Sequence, residues 1–183
     1  HILIKNYLPD EDDHSDLMAA LLDPSERHGL SSLGLCVFLD IIAERDRTKE
    51  AECVAIRNEI TNKGADGMRV FIRQRGDLSV PDIIITGEDF VIGIENKRSF
   101  GCENKTDHGW QTENQYRDLI KKNKGNTLYI YIHPEGMAPK CKYCVQMFKR
   151  DVTDWYEKVA ELSVDKQLGS FLKYYAQYYF KTI

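Results

Sequence analysis

Two apolar runs split by a short turn, in "VPDIIITGEDFVIGIENKRSF" from Val80 to Phe100, constrain this chain more than any other segment. "VPDIIIT" and "DFVIGIENK" have strand length and strand residues, and "TGED" between them is a hairpin turn. Side chains alternate along a strand, so Glu95 and Lys97 share one face while Ile94 and Asn96 point to the other. Asp82 lies on the partner strand and comes beside Glu95 if the turn sets that register. Charges inside strands are paired, hold a metal or do chemistry.

Two carboxylates side by side repel each other unless a cation lies between them. Hard oxygen donors suit Mg²⁺ or Mn²⁺. Such a cation stabilises a phosphate oxygen and helps to activate water. A lysine two residues on orients that water or neutralises charge developing on the phosphate. The rival reading is a structural ion pair at a sheet end, because an isolated E-x-K tripeptide is common. The proline before Asp82 and the placement of the charges at strand ends favour a site.

The elements around the hairpin read as an α/β order. "LPDEDDHSDLMAALLDP" predicts a helix from Leu8, with Asp10 as N-cap and Pro24 as stop. Ser31 or Ser32 caps a second, largely buried helix through "LGLCVFLDIIAE". Ala51–Ile60 reads as a first strand, although its start also suits a helix, and Met68–Arg75 as an alternating strand. "WQTENQYRDLIKKNK" is an amphipathic helix ended by Gly125. "NTLYIYIH" follows as a strand inside the sheet, which completes a right-handed crossover unit. Two helices close the chain. The expectation is one domain over residues 1–183, with a core at about 11–133 and helices at about 151–180.

Composition narrows the function classes. A net charge of -4 excludes a protein that coats nucleic acid by bulk charge. No apolar run approaches a membrane span and no signal-peptide pattern opens the chain. Five irregularly spaced cysteines argue against a disulfide framework and for a reducing cytoplasm. "CKYC" (Cys141 to Cys144) has metal-ligand spacing, with Cys102 and His133 as candidate partners, or is a free pair in a loop. Basic residues at Arg69, Arg73 and Arg75, at Lys97-Arg98, at Lys121-Lys122-Lys124 and at Lys140-Lys142 are solvated ends or the lining of a phosphate groove. The tyrosine-rich "FLKYYAQYYF" packs on the core or a second subunit, or offers rings to bases.

"PD" at Pro81-Asp82 and "ENK" at Glu95 to Lys97, thirteen residues apart (95 − 82), resemble the PD-(D/E)xK nuclease superfamily. "HSDLMAALLDPSERHGL", with Glu11 three residues before His14, is similar to the E-x-x-H-S, L-D-P and H-G-L signature of one bacterial branch. "VIGIENK", "QTENQY" and "DVTDWYEKV" resemble later segments of that branch, so the likeness runs from about Glu11 to Val159.

The resemblance implies a restriction-endonuclease-like αβββαβ core, with a central mixed sheet, flanking helices and extra C-terminal helices. It implies a Mg²⁺- or Mn²⁺-dependent phosphodiesterase acting on nucleic acid, DNA before RNA, in phage defence or on a mobile element. It also leaves room for a catalytically silent binding module, a homodimer or a larger complex. By position, Asp82, Glu95 and Glu11 are implied metal ligands, with the Asn96 backbone carbonyl, and Lys97 is the catalytic lysine; Asp12 and Asp13 compete for the helical role, and Glu11 is preferred because it stands three before His14. Gln111 and Tyr116 match the helix positions that reach the metal waters or phosphate, and Gln115 competes for that role. His14, Ser15 and Arg98 are implied substrate contacts, His14 equally a first-turn residue with no role.

Overall fold

The computed structural model describes residues 11–64, 66–97, 103–123, 125–135 and 138–181. Asp10, Arg98 and Cys102, each given a role above, lie outside them. The elements run α1 (Glu11–Leu22), α2 (Leu33–Arg45), a 3-10 turn (Arg47–Lys49), α3 (Glu50–Lys63), β1 (Arg69–Ile72), β2 (Ile83–Thr86) and β3 (Phe90–Asn96). They continue with β4 (Lys105–Thr106), β5 (Gly109–Trp110), α4 (Gln111–Lys122), β6 (Asn126–His133), β7 (Val145–Phe148), α5 (Lys149–Leu162) and α6 (Lys166–Lys181).

This is an α/β fold around a mixed sheet of order β1-β2-β3-β6-β7. β1, β2 and β3 are antiparallel, whereas β6 lies parallel to β3 and β7 parallel to β6. Helix α4 connects the parallel β3 and β6, as such a pair requires. β3 and β6 are paired on both edges and carry almost no polar residue that is not buried, which matches their unbroken apolar text.

The sheet's two faces bury different partners. Ile83, Ile85, Ile92, Ile94, Ile130 and Ile132 join the main core with α1, α2, α3 and α5. Ile84, Val91, Leu119, Tyr129 and Cys141 form a smaller cluster beneath α4. Gly93 makes the second layer fit, because a Cβ there would stand 2.4 Å from Leu119 Cδ1. Helix α2 is apolar nearly all round because it is enclosed by neighbours. Gly34 lets it close on α1, where a Cβ would meet Leu21 O at 2.0 Å, and the Trp155 indole N–H of α5 bonds Gly34 O at 2.8 Å.

Four local expectations change. Ala51–Ile60 is helical, inside α3, and buries Cys53, Ile56 and Ile60 at helical spacing. The strand begun at Met68 ends at Ile72, because Arg73 turns to φ 48° and donates its N–H to Asp82 O at 2.8 Å. Ser32 holds the cap position of α2 without a side-chain cap bond. Gly125 does not cap α4, whose C-cap is Asn123. A Cβ on Gly125 would stand 1.9 Å from Asp89 O, so close approach to the β2–β3 turn is what requires glycine there.

Candidate active site

The β2–β3 register pairs Ile83 with Ile94, so Asp82 and Glu95 continue the ladder as opposite neighbours. Even-numbered β3 residues face the main core and odd-numbered ones face α4, and this alternation divides the work of the motif. Glu95 faces α4 and Asn96 faces α1.

Glu95 is 1% exposed. Its Oε1 accepts Gln111 Nε2 at 2.7 Å and lies 2.5 Å from Lys97 Nζ. Its Oε2 accepts Gln115 Nε2 at 2.6 Å. Gln111 and Gln115 are one helical turn apart on α4, so both amides reach the same carboxylate. Gln115 also donates to Val80 O at 3.1 Å, and its own Oε1 accepts the buried Tyr129 hydroxyl. Lys97 Nζ lies 3.5 Å from Glu11 Oε1, which ties the start of α1 to the pair.

Asp82 Oδ2 accepts the Asn96 backbone N–H at 2.7 Å. Burial first, and then the Glu95 charge, push the Asp82 carboxyl up to about 7. Burial likewise raises the Glu95 carboxyl, while Lys97 and Gln115 pull it partly back. Burial weighs against the Lys97 ammonium, but the carboxylates of Glu95, Glu11 and Asp82 outweigh it and raise its pKa.

The back of the site is a polar anchor. The Asn96 amide donates to His14 Nδ1 at 2.9 Å and to Ser15 Oγ at 3.2 Å. An accepting Nδ1 leaves the ring proton on Nε2, 3.1 Å from the Tyr156 hydroxyl. His14 also lies flat against Tyr175 at 6.0 Å.

The fold therefore brings together Asp82, Glu95, Asn96, Lys97, Glu11, Gln111 and Gln115. His14 and Ser15 are present but 0% and 1% exposed, so in this arrangement they hold Asn96 to α1 rather than face a substrate. Tyr116 is turned away, with its ring on Tyr143 at 5.0 Å. The sequence reading gave no site role to Tyr129, within "NTLYIYIH", or to Tyr156, within "DVTDWYEKV"; both become visible only when β6 and α5 are placed. Its choice between Gln111 and Gln115 dissolves, since both hold Glu95. A groove of about 510 Å³ between α2, α3 and α5, with Asp40, Arg57 and Lys158 on its walls, contains none of these residues.

Among the described residues no three side chains of His, Cys, Asp and Glu converge as a preassembled metal cluster. The donor chemistry nevertheless fits one hard cation. Asp82 and Glu95 are adjacent, desolvated and mutually repelling, and the buried Gln111 Oε1 has no hydrogen-bond partner among the described residues. Among the described residues no helix is long and apolar enough to cross a membrane. The sequence model of the PD-(D/E)XK nuclease superfamily matches residues 3–177. Comparison with curated proteins and with solved structures gives no match.

Proposed function

The chain belongs to the PD-(D/E)XK nuclease superfamily, and on that premise we propose that it is a nuclease dependent on Mg²⁺ or Mn²⁺ that hydrolyses phosphodiester bonds, with DNA as its substrate. The observation that carries this reading is the pair of facing carboxylates, half-buried Asp82 and buried Glu95, with Lys97 set against Glu95.

Asp82 and Glu95 would hold the cation, with Glu11 and the Asn96 carbonyl as further oxygens. The cation supplies Lewis-acid stabilisation of the phosphate and lowers the pKa of water beside it. The residues do the rest. Gln111 and Gln115 fix the plane of the Glu95 carboxylate, and Asn96 fixes Asp82 through its N–H. Lys97 keeps its proton and carries positive charge next to the oxygens that become more negative as the phosphate is attacked. Glu11 restrains the ammonium from the other side. We place this activity in the cytoplasm, in phage defence or on a mobile element.

A second reading is a nucleic-acid-binding module without catalysis. It draws on Lys97, which already lies against Glu95 and neutralises it.

Pure protein is incubated with single- and double-stranded DNA and RNA in Mg²⁺, in Mn²⁺ and in EDTA, beside Lys97→Ala checked for folding by circular dichroism. Metal-dependent cleavage, reduced about 10²- to 10³-fold in the variant, is expected. Equal cleavage by wild type and variant would remove the proposal. Tight binding with no cleavage in either metal would give the second reading the lead.

A further inference from the structure

Beside the carboxylate pair, three short segments place aromatic rings and cations in alternation. Trp110, half-buried at the end of β5, immediately precedes Gln111, whose amide holds Glu95. Lys105 Nζ and Lys140 Nζ stand 5.9 and 5.3 Å from the centre of the Trp110 ring. Lys142 Nζ stands 5.0 Å from the Tyr143 ring, and Tyr143 is 53% exposed. Tyr116 stacks on Tyr143 at 5.0 Å with 19° between the planes. A depression of about 230 Å³ is lined by Tyr116 and Tyr143, with Lys140, Lys142 and Arg117 on its wall and Glu113 as a carboxylate within it.

The segments are locked to one another. Glu103 accepts Thr112 N at 2.8 Å, Thr112 Oγ1 at 2.5 Å and Lys140 N at 2.7 Å, and Cys141 N donates to Thr112 Oγ1 at 3.1 Å. The loop that carries Lys140, Lys142 and Tyr143 is thus fixed to the first turn of α4, and so to the helix that orients Glu95.

From this juxtaposition we propose that the β4–β5 hairpin, the start of α4 and the 140–144 loop form a platform for single-stranded nucleic acid. Bases stack on Trp110 and Tyr143, and Lys105, Lys140 and Lys142 take the phosphates. A base inside a duplex hides its faces in the stack, so such rings meet only an unpaired strand. Cations alone would suit an acidic peptide equally well. A ring beside each cation matches the base-and-phosphate repeat of a polynucleotide. The three lysines gathered here stand against a net charge of -4 for the whole chain. The platform deepens the nuclease reading and rests on it for its biological meaning, since it would deliver a strand to Asp82 and Glu95.

The experiment uses the full chain in EDTA, where metal-dependent turnover is silent, and reads tryptophan fluorescence. The chain has two tryptophans, and Trp155 is 0% exposed, so quenching reports Trp110. An oligothymidylate is the probe, with a duplex of equal length and polyglutamate as competitors. Saturable quenching by oligothymidylate is expected in the wild type; in the Trp110 variants, which lose this reporter, affinity is read from the anisotropy of fluorescein-labelled oligothymidylate, about ten-fold or more weaker in Trp110→Ala and largely kept in Trp110→Phe. Lys140→Ala/Lys142→Ala, a pair of changes at exposed positions, should shrink the salt dependence of log K by about 0.7 per lysine. Equal binding of duplex, or of polyglutamate, or affinity unchanged in Trp110→Ala, would overturn the proposal. If Trp110→Ala fails to fold, the lysine pair and the competitor ranking decide. Quenching without cleavage in metal would keep the platform and refute the nuclease. Cleavage without quenching would do the reverse.

Discussion

Replacing Asp82 by Asn should make the metal-free protein more stable while abolishing cleavage. Burial and the Glu95 charge lift the Asp82 carboxyl from 3.8 to about 7. A group whose pKa is raised on folding holds its proton more tightly in the folded state, so folding loses stability as pH rises through the window from about 4 to about 7. Roughly three units at 1.36 kcal/mol each is about 4 kcal/mol. Part of that gain is lost because the Asn amide must itself be desolvated at a cost of about 1–3 kcal/mol. The Asn carbonyl can still accept the Asn96 N–H. The net expectation is about 2 kcal/mol in favour of Asp82→Asn at pH 8, or roughly 4–8 °C in Tm, shrinking as pH falls and reversing to a deficit of about 1–3 kcal/mol at pH 4, where only the desolvation of the amide remains. Mg²⁺ should raise the wild-type Tm and leave the variant unmoved, since only the paired carboxylates gain from a cation. Thermal melts from pH 4 to 8, in EDTA and in Mg²⁺, measure all of this. A Tm difference that stays constant across the pH range, or a variant that is the less stable protein at pH 8, would refute the reasoning.

Gly34→Ala should be disruptive, because its Cβ meets backbone that no rotamer change can move and α2 must shift off α1 and Trp155. About 3 kcal/mol or more is expected in urea titration, against no effect for Gly67→Ala, where a Cβ meets nothing within 4 Å. Equal midpoints for the two would show that the α1–α2 contact is loose. Burial lowers the His133 pKa below its ordinary 6.5, so the unfolded chain binds the proton more readily. Stability from this group is therefore full above pH 6.5 and falls as pH drops through it towards the folded value. Urea midpoints at pH 7.5 and 5.5 should converge more closely in His133→Phe than in wild type, and equal slopes would count against the assignment.

The hairpin was legible because turn chemistry and alternation agree: "TGED" admits one pairing that keeps all the isoleucines buried, and that pairing sets Asp82 against Glu95. The carboxylate pair and Lys97 follow from it, whereas the two glutamines of α4 were reached only through the family resemblance. Helix α3 was less legible because "CVAI" is a short continuous apolar run, half of it β-branched, which suits a strand as well as a helix. Its real signal was Cys53, Ile56 and Ile60, three and four apart, which outlasts the local propensity once α2 packs on it. β7 was missed because four residues behind a cysteine-bearing loop become a strand only when β6 offers an edge. His14 shows a different limit. Its presence beside Ser15 on α1 was plain, but whether it faces a substrate or Asn96 depends on which way β3 alternates, and that is set by contacts 82 residues away.

Distance along the chain also gives the site an order of assembly. Asp82, Glu95 and Lys97 lie within one hairpin, and a hairpin closes in about 1–10 μs. Gln115 arrives from 20 residues beyond Glu95, and His14 from 82 residues before Asn96. The two acids and their lysine can thus meet while water still screens them, when their repulsion costs little. The strand is then sealed from one side by α4 and from the other by α1, so the expensive desolvation falls on a charge cluster that is already arranged. A chain that had to gather the same three charges from three distant elements would meet that cost before any of them had found its neighbour.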